Sequence, residues 1–143
     1  MHIFGIGIDV VEVDRIATAL ARFGDAFAGR IFTAAELAYC RAQRRPEQHL
    51  AARFAAKEAV AKACGTGIGS QLRWLDMEIT RQPTGEPRVA LRGAGLAFAR
   101  QHRIRELRLS LTHTRHSAAA VAIATTDDPP PAPAASPPAP ATP

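Results

Sequence analysis

Apolar positions recur along this chain with two periods, near two residues in some stretches and between three and four in others. A period of two is typical of β-strands, and a period of 3.6 is typical of α-helices. The pattern predicts strands over residues 2–11, 75–80, 89–91, 107–112 and 117–124, and helices over 13–23, 33–44, 46–64 and 93–102. Turns around Gly85 and over residues 114–116 separate two pairs of neighbouring strands.

The first predicted strand has an apolar face, and its other face is built from Gly5, Gly7 and Asp9. Glycine inside a strand lets another backbone or a ligand approach closely. Asp9 lies on this open face, near the end of the strand. The spacing from Asp9 to Glu12 also fits a capping box at the start of the next helix, and on spacing alone that interpretation is the stronger one.

The most informative stretch is residues 53–69, RFAAKEAVAKACGTGIG. At about 100° per residue, Phe54, Glu58 and Lys62 fall on one side of the helix, which ends in a glycine-rich loop. A carboxylate, an ammonium and a flexible loop on one face suit an enzyme that handles a phosphate through a metal ion. A simple helix salt bridge, contributing about 0.3–0.5 kcal/mol, explains the Glu58–Lys62 pair as well, and a helix C-cap explains one of the glycines.

The net charge of +5 comes mainly from arginine, because Lys57 and Lys62 are the only lysines. A basic chain favours an acidic partner: nucleic acid, a phosphate-rich cofactor or an acidic protein. Arg15 and Arg22, seven residues apart, project from one side of the first helix, where a solvated basic face is the simplest explanation. His113 ends a predicted strand, and a structural role is favoured there on spacing alone.

Other features bound the class of protein. Cys40 and Cys64 fit neither a zinc pattern nor a disulfide framework. The N-terminus lacks the features of a signal peptide, and no apolar run reaches the roughly 20 residues that span a bilayer. We therefore expect a cytoplasmic protein without a membrane partner. Residues 1–125 form one predicted domain, and residues 126–143, rich in proline and alanine, form a predicted solvated tail.

Four stretches together resemble one family: residues 5–16, 53–69, 75–79 and 109–124. They are similar to the holo-acyl carrier protein synthases, the short, single-domain 4′-phosphopantetheinyl transferases. The resemblance implies an α+β fold, with a small antiparallel sheet packed on the long helix. It implies transfer of 4′-phosphopantetheine from coenzyme A to a serine of apo-acyl carrier protein, releasing 3′,5′-ADP, for fatty-acid or polyketide biosynthesis. It also implies a homotrimer with active sites between protomers.

The resemblance implies roles for individual residues as well. Asp9 and Glu58 correspond to ligands of Mg²⁺. The implied contacts of coenzyme A are Arg45, Arg53, Lys62, Gly65, Thr66 and His113. The implied docking surface for an acidic acyl carrier protein contains Arg15, Arg22 and Phe54. The implied catalytic residues are Glu58, Lys62 and His113. Three candidates remain for the base that accepts the serine proton, and Glu58 or a metal-bound water precedes His113.

Two other functions compete with this one. A basic nucleic-acid-binding module would use the arginines on phosphates, with an affinity that falls steeply with salt. The chain has no recognised nucleic-acid motif and few aromatic residues for base stacking, so we expect no nucleic-acid partner. The other alternative is a different magnesium-dependent phosphotransferase that uses Asp9 and Glu58 on another substrate.

Overall fold

The computed structural model describes residues 1–129. Its strands are β1 (His2–Glu12), β2 (Met77–Arg81), β3 (Pro87–Leu91), β4 (Ile104–His113) and β5 (Ser117–Thr126). Its α-helices are α1 (Val13–Ile31), α2 (Ala34–Arg41), α3 (Pro46–Cys64) and α4 (Gly93–Gln101). A single 3₁₀ turn, Trp74–Asp76, precedes β2. The predicted tail falls mostly on residues 130–143, which lie outside the described residues.

Three strands form an antiparallel sheet in the order β1–β5–β4, and β2 pairs with β3 in a separate antiparallel hairpin. In the larger sheet Gly7 lies opposite Ala122, which in turn lies opposite Leu109. This row belongs to the inner face of the sheet, which packs against α3, the central element of the hydrophobic core. The predicted α+β fold, with a small antiparallel sheet on a long helix, is confirmed.

β1 lies unusually close to α3, because two of its inward positions are glycine. A Cβ atom at Gly5 would collide with the carbonyl oxygen of Ala63, and one at Gly7 would collide with that of Ala59. Both obstructing atoms belong to the backbone, so neither can rotate away. The interpretation that the glycine face of this strand admits another backbone is therefore correct, and that backbone is α3.

The ends of α3 follow the expected rules for helix termini. Pro46 occupies the first turn, where its missing N–H removes no helical hydrogen bond. Gly65 ends the helix in the left-handed conformation, with a φ of 74°. Alanine is the commonest residue among the buried positions of this helix, which allows other elements to pack closely around it.

Lys57 is fully buried inside this packing. Its ammonium donates to the carbonyl of Ile31 at 2.6 Å and to that of Trp74 at 3.1 Å, and it pairs with the Glu36 carboxylate at 2.9 Å. The end of α1, the start of α2 and the 3₁₀ turn are thus tied to the centre of α3 by one side chain. The two lysines of the sequence therefore differ in role, and Lys57 has a structural one.

Glu36 completes the same network from the other side. Its carboxylate accepts from the backbone N–H of Thr33 at 3.0 Å and from that of Ile79 at 2.6 Å. The Thr33 hydroxyl accepts from the Glu36 N–H in return, so the predicted capping box at the start of α2 is confirmed. Because the carboxylate also bonds to β2, this cap holds the β2–β3 hairpin against the helices.

The predicted end of the first helix at Phe23 coincides with a kink, because Gly24 adopts the non-helical angles φ 56° and ψ −137°. A second helical segment, which was not predicted, follows the kink and extends α1 to Ile31. Two other predicted features differ in the structure. α2 ends at Arg41 instead of near Arg44. The capping box from Asp9 to Glu12 is wrong: β1 runs to Glu12, which is itself the N-cap of α1 and makes no side-chain capping bond. Asp9 therefore does not cap α1.

Within residues 1–129, no helix combines the length and the apolar character that crossing a bilayer requires.

The close approach of β1 to α3 can be tested by adding one methyl group. Gly7→Ala should lower the free energy of unfolding by about 3 kcal/mol, since the strand must move off the helix. Gly29→Ala is the matched control, because Gly29 is helical and nothing lies within 4 Å of its added Cβ. It should stabilise by about 0.5–1 kcal/mol. The midpoint of urea unfolding measures both changes in stability, provided that the slope of the unfolding free energy against urea concentration is unchanged. An equal effect of the two substitutions would contradict the close packing of β1 on α3.

The buried ion pair makes a second prediction. Lys57→Met should lower the free energy of unfolding by about 3–5 kcal/mol, because the Glu36 carboxylate is left charged and buried without its cation. Chemical denaturation of Lys57→Met and of Lys62→Met compares a buried lysine with an exposed one. Equal destabilisation by the two substitutions would show that the buried Lys57–Glu36 pair contributes no more to stability than the exposed Lys62 does.

Candidate active site

Asp9 and Lys62 meet where β1 crosses the last turns of α3. The Lys62 ammonium lies 3.1 Å from the Asp9 Oδ1 atom and donates to the carbonyl of Ile8 at 2.9 Å. The Asp9 side chain is mostly buried, and about half of the Lys62 side chain is exposed. The ion pair of Lys62 is therefore with the strand, and the helix salt bridge to Glu58 that spacing alone suggested is replaced by a tertiary one.

Glu58 lies beside this pair, one helical turn before Lys62. Burial raises the pKa of the Glu58 carboxyl, and the neighbouring Asp9 carboxylate raises it further, while Lys62 and Arg15 act in the opposite direction. Two carboxylates are thus held close together against a single nearby ammonium. We call Asp9, Glu58 and Lys62 the carboxylate cluster.

The carboxylate cluster has the composition of a site that shares a cation with a phosphate. The described residues 1–129 contain no group of three or more histidine, cysteine, aspartate or glutamate side chains placed to hold a metal. Magnesium, however, needs only one or two carboxylates from a protein when phosphate oxygens and waters complete its octahedron. The raised pKa of Glu58 fits such a cation, because a positive charge between the carboxylates would relieve their repulsion.

Gly65 and Thr66 follow directly after the helix that carries the cluster. Gly65 and Gly67 both have positive φ, 74° and 63°, so backbone conformation explains two of the glycines in the loop. The N–H groups of Gly65, Thr66 and Gly67 bond back to carbonyls of Ala61 and Lys62. The loop is therefore a tight helix cap. It exposes glycine backbone without side chains, and the N–H groups of these three residues are already bonded within the protein.

The predicted docking residues are distributed around the cluster. Arg15 lies on α1, near enough to Glu58 to influence its pKa. Arg22 is exposed further along α1, and its guanidinium lies 5.0 Å from the centre of the Phe23 ring. Phe54 is half-buried and packs against Trp74, with ring centres 4.9 Å apart. The two arginines are open to solvent, whereas Phe54 is partly used by internal packing.

His113 ends β4 in a second group of residues. Its ring centre lies 5.2 Å from that of His49 on α3, in an edge-to-face arrangement. The ring centres of His49 and Tyr39 lie 6.2 Å apart. The Arg53 guanidinium stacks on the Tyr39 ring, 4.4 Å from its centre. We call His113, His49, Tyr39 and Arg53 the histidine–arginine cluster.

Arg53 is the unusual member of this cluster, because it is only 2% exposed. Its Nε atom is buried without a hydrogen-bond partner within the described residues. Burial raises the pKa of the nearby Cys40 thiol to about 11, and the charge of Arg53 acts in the opposite direction. Among residues 1–129, no carboxylate forms an ion pair with Arg53, so its positive charge is not balanced there by a salt bridge.

Arg45 lies at the N-terminal end of α3 and is exposed. It lines a groove of about 460 Å³ between α1, α3 and the β4–β5 turn, together with Leu20, Arg115 and His116. Arg45, His49 and Arg53 are spaced by four residues, so they share one side of α3. The basic groups predicted to contact coenzyme A thus continue along one edge of the helix.

The structure brings together Asp9, Glu58 and Lys62, with Gly65 and Thr66 one turn further on, and it places Arg53 and His113 elsewhere. β1 and β4 lie on opposite sides of β5, so two strand spacings, about 10 Å, separate their backbones. The two clusters therefore lie on different parts of the protomer. No local sequence pattern indicates this separation, because it depends on the order of the strands.

His49 is a member of the second cluster that the motifs did not include. Its signal was present in the spacing, since it lies one turn from Arg45 and one turn from Arg53 on the same side of a helix. Spacing alone does not show that this side meets the end of β4, which is what brings His49 to His113.

Comparisons with known proteins show the family of this chain. The sequence pattern of the 4′-phosphopantetheinyl transferase superfamily matches residues 5–124. A holo-[acyl-carrier-protein] synthase of Koribacter versatilis is 46% identical over 116 residues, which cover 81% of this chain and 93% of the relative. The crystal structure of holo-[acyl-carrier-protein] synthase from Neisseria meningitidis superposes with a TM-score of 0.82 at 36% identity, covering 87% of this chain and 99% of that one.

A second solved structure, holo-[acyl-carrier-protein] synthase of Helicobacter pylori in complex with coenzyme A, gives a TM-score of 0.76 at 32% identity. It covers 84% of this chain and 99% of its own. The matched region includes both clusters and the element order that positions them. This chain belongs to the 4′-phosphopantetheinyl transferase superfamily.

Proposed function

We propose that this protein transfers 4′-phosphopantetheine from coenzyme A to a serine hydroxyl of apo-acyl carrier protein, giving holo-acyl carrier protein and 3′,5′-ADP. The observation that carries the proposal is the carboxylate cluster, in which Asp9, Glu58 and Lys62 meet within a chain whose residues 5–124 match the family. Its curated relatives are named for this activity, and the Helicobacter pylori relative is solved with coenzyme A. A fatty-acid or polyketide pathway is the setting we propose.

In the proposed reaction, the serine oxygen attacks the phosphorus that bears the pantetheine. The bond from that phosphorus to the bridging oxygen breaks, and its electron pair leaves with 3′,5′-ADP. Lys62 is placed to stabilise the charge that develops on the phosphate oxygens, because its ammonium is exposed on one side and held by Asp9 on the other. Asp9 thus orients Lys62 as well as contributing its own charge.

We assign Mg²⁺ to Asp9 and Glu58. When bound there, the ion would neutralise pyrophosphate charge and hold the donor for in-line attack. Glu58 is also the base we favour for the serine proton, because it lies in the carboxylate cluster beside Lys62, where the phosphate would bind. His113 is the less favoured base, because it lies on the other side of β5 from this cluster within the protomer.

We assign Arg53 and His113, together with Arg45, to the anionic adenosine end of coenzyme A. Arg53 is buried without a carboxylate, and His113 is exposed, so a phosphate would find both fixed and accessible positive groups there. Gly65 and Thr66 would border the pyrophosphate, one helical turn from Lys62. Burial makes the hydrogen bonds of such a cation to a phosphate stronger than they are in water.

We propose that the exposed arginines of α1, Arg15 and Arg22, receive the acidic surface of the carrier protein, with Phe54 as an apolar contact. Opposite charges across such a surface raise the association rate and select the partner. Arg15 already lies near Glu58, so a carrier bound there would present its serine close to the carboxylate cluster. A reaction between coenzyme A and a carrier protein is consistent with a cytoplasmic location.

We further propose a homotrimer whose active sites lie between protomers. The outer face of the larger sheet is apolar and open in a single protomer: Ile6, Ile8 and Val10 are each 60–64% exposed. Val121 and Ile123 extend the same face on β5 by pairing with Ile8 and Ile6. A contiguous exposed patch of branched side chains is typical of a protein–protein interface. Assembly would also let the carboxylate cluster of one protomer face the histidine–arginine cluster of the next.

Intact-protein mass spectrometry of apo-acyl carrier protein tests the reaction. Incubation with this protein, coenzyme A and magnesium should add the mass of one phosphopantetheine. EDTA should prevent the gain, and Glu58→Gln should slow it by at least about 100-fold, the contribution of a positioned base. A wild-type protein that modifies no carrier protein would refute the proposed function. Normal transfer by Glu58→Gln would refute the role of Glu58 alone.

Glu58→Gln should also make the protein more stable at neutral pH. The pKa of Glu58 is raised in the folded state, so between its ordinary and raised values the folded protein binds more protons than the unfolded chain. Stability therefore falls as pH rises through that window, and ionised Glu58 destabilises the fold at pH 7. The melting temperature of Glu58→Gln should exceed that of the wild type at pH 7 without added magnesium, and the difference should disappear below the ordinary glutamate pKa. A lower melting temperature at pH 7 would contradict the raised pKa.

Ile8→Glu tests the assembly. The side chain is exposed in the protomer, so the substitution should leave the fold intact while placing charge in the proposed interface. Light scattering should show three chains for the wild type and one for Ile8→Glu, and the variant should lose transfer activity with the trimer. Ala97→Glu, at an exposed position of α4, is the control that should retain the trimer. A wild-type protein that is monomeric and active would refute an active site shared between protomers.

A further inference from the structure

His49 occupies the middle of a row of stacked groups. The Arg53 guanidinium lies over Tyr39, Tyr39 meets the edge of His49, and His49 meets His113, at centre-to-centre distances of 4.4, 6.2 and 5.2 Å. The row joins α2 and α3, which are consecutive in the sequence, to β4, which is far from both. His49 is its only member that touches His113 through an aromatic contact within residues 1–129.

His113 needs a neighbour of this kind because of its position. It is the last residue of β4, it is exposed, and its strand partner is the small residue Ala118. An exposed histidine at a strand end has free rotation about its side-chain bonds unless something packs against the ring. Edge-to-face packing on His49 supplies that restraint, since aromatic pairs have preferred mutual orientations.

The surroundings of His49 keep its ring neutral. Burial lowers the pKa of His49 most, followed by the charges of His113, Arg53 and Arg81, while Glu47 acts weakly in the opposite direction. Tyr39 faces the ring as well, in an edge-to-face contact. A neutral ring can pack against His113 without repelling the charge that His113 gains when it is protonated.

We propose that His49 is a positioning residue for His113. It holds the His113 ring at the orientation in which that ring meets the anionic part of coenzyme A. His49 acts through its aromatic contact, and its own nitrogens make no bond to the donor. The inference rests on the proposed function, because it takes coenzyme A as the ligand that His113 meets.

Three substitutions of His49 separate this role from others. His49→Phe keeps the aromatic edge and removes the nitrogens, so it should bind coenzyme A as the wild type does. His49→Leu and His49→Ala remove the edge, and each should raise the KM and the dissociation constant for coenzyme A by about three- to tenfold, the range of an aromatic pair. The kcat should change by less than about twofold, because positioning of the donor is lost in binding and the carboxylate cluster is untouched.

His102→Ala is the matched control. His102 stacks on Phe98 at 4.0 Å and meets the ring of Phe4 at 5.9 Å, in a cluster between α4 and β1. The His102→Ala variant loses comparable aromatic contacts at a place away from the proposed site. It should lower the melting temperature without changing the KM for coenzyme A, so a general loss of stability is distinguished from a loss of positioning.

The results separate failure of this inference from failure of the proposed function. Calorimetric binding of coenzyme A needs no carrier protein, so it tests His49 even if the wild type modifies no carrier. Unchanged affinity in His49→Leu and His49→Ala would overturn the positioning role. Equal loss in His49→Phe would overturn it too, because it would show that the imidazole nitrogens themselves contact the ligand. A wild type that does not bind coenzyme A at all would overturn both.

Discussion

The contact between two backbones, β1 and α3, determines the rest of the structure. Gly5 and Gly7 allow the strand to lie directly on the helix, against the carbonyls of Ala63 and Ala59. Asp9 follows two residues later on the same face, so it arrives beside the helical turn that carries Glu58. A bulkier strand would hold Asp9 farther from the helix and would separate the carboxylates from Lys62. The glycines thus belong to the geometry of the site without touching any ligand.

Lys57 and Glu58, neighbours in sequence, face opposite environments. Lys57 points into the core and is satisfied by Glu36 and two backbone carbonyls. Glu58 points toward Asp9 and remains electrostatically strained. Lys57 fixes the rotation of α3 about its axis, because its buried ammonium must reach Glu36 and the two carbonyls at the same time. That fixed rotation holds Glu58 at the surface where a cation and a phosphate can reach it, so stability and function are assigned to adjacent side chains.

Much of this architecture was predictable from local pattern. The periods of two and 3.6, the Thr33–Glu36 capping box, Pro46 at the start of α3 and the left-handed Gly65 all report backbone geometry over a few residues. The helical segment between Gly24 and Ile31 was missed, because the glycines in that stretch look like the end of a helix in sequence. The alternative of Asp9 as a cap was wrong for a related reason: spacing shows which residues could cap and does not show where the strand ends.

The arrangement of the site was less predictable, because it depends on contacts between distant parts of the chain. The alternation of β1 correctly placed Asp9 on the glycine face, and the helical period correctly grouped Glu58 with Lys62. No local pattern shows that β5 lies between β1 and β4, which separates His113 from Asp9. Burial of Lys57 was hidden as well, since its partners come from α1, α2 and the 3₁₀ turn.

The two cysteines have a consequence for a protein of this family. Cys40 and Cys64 are buried, and burial raises the pKa of each thiol to about 11. At pH 7 only about one thiol in ten thousand would then be a thiolate, the form that attacks a disulfide. Coenzyme A itself ends in a thiol and forms disulfides when oxidised. Under the proposed function, two buried thiols with raised pKa values would react slowly with oxidised coenzyme A, so burial of these sulfurs would protect the chain from mixed disulfides.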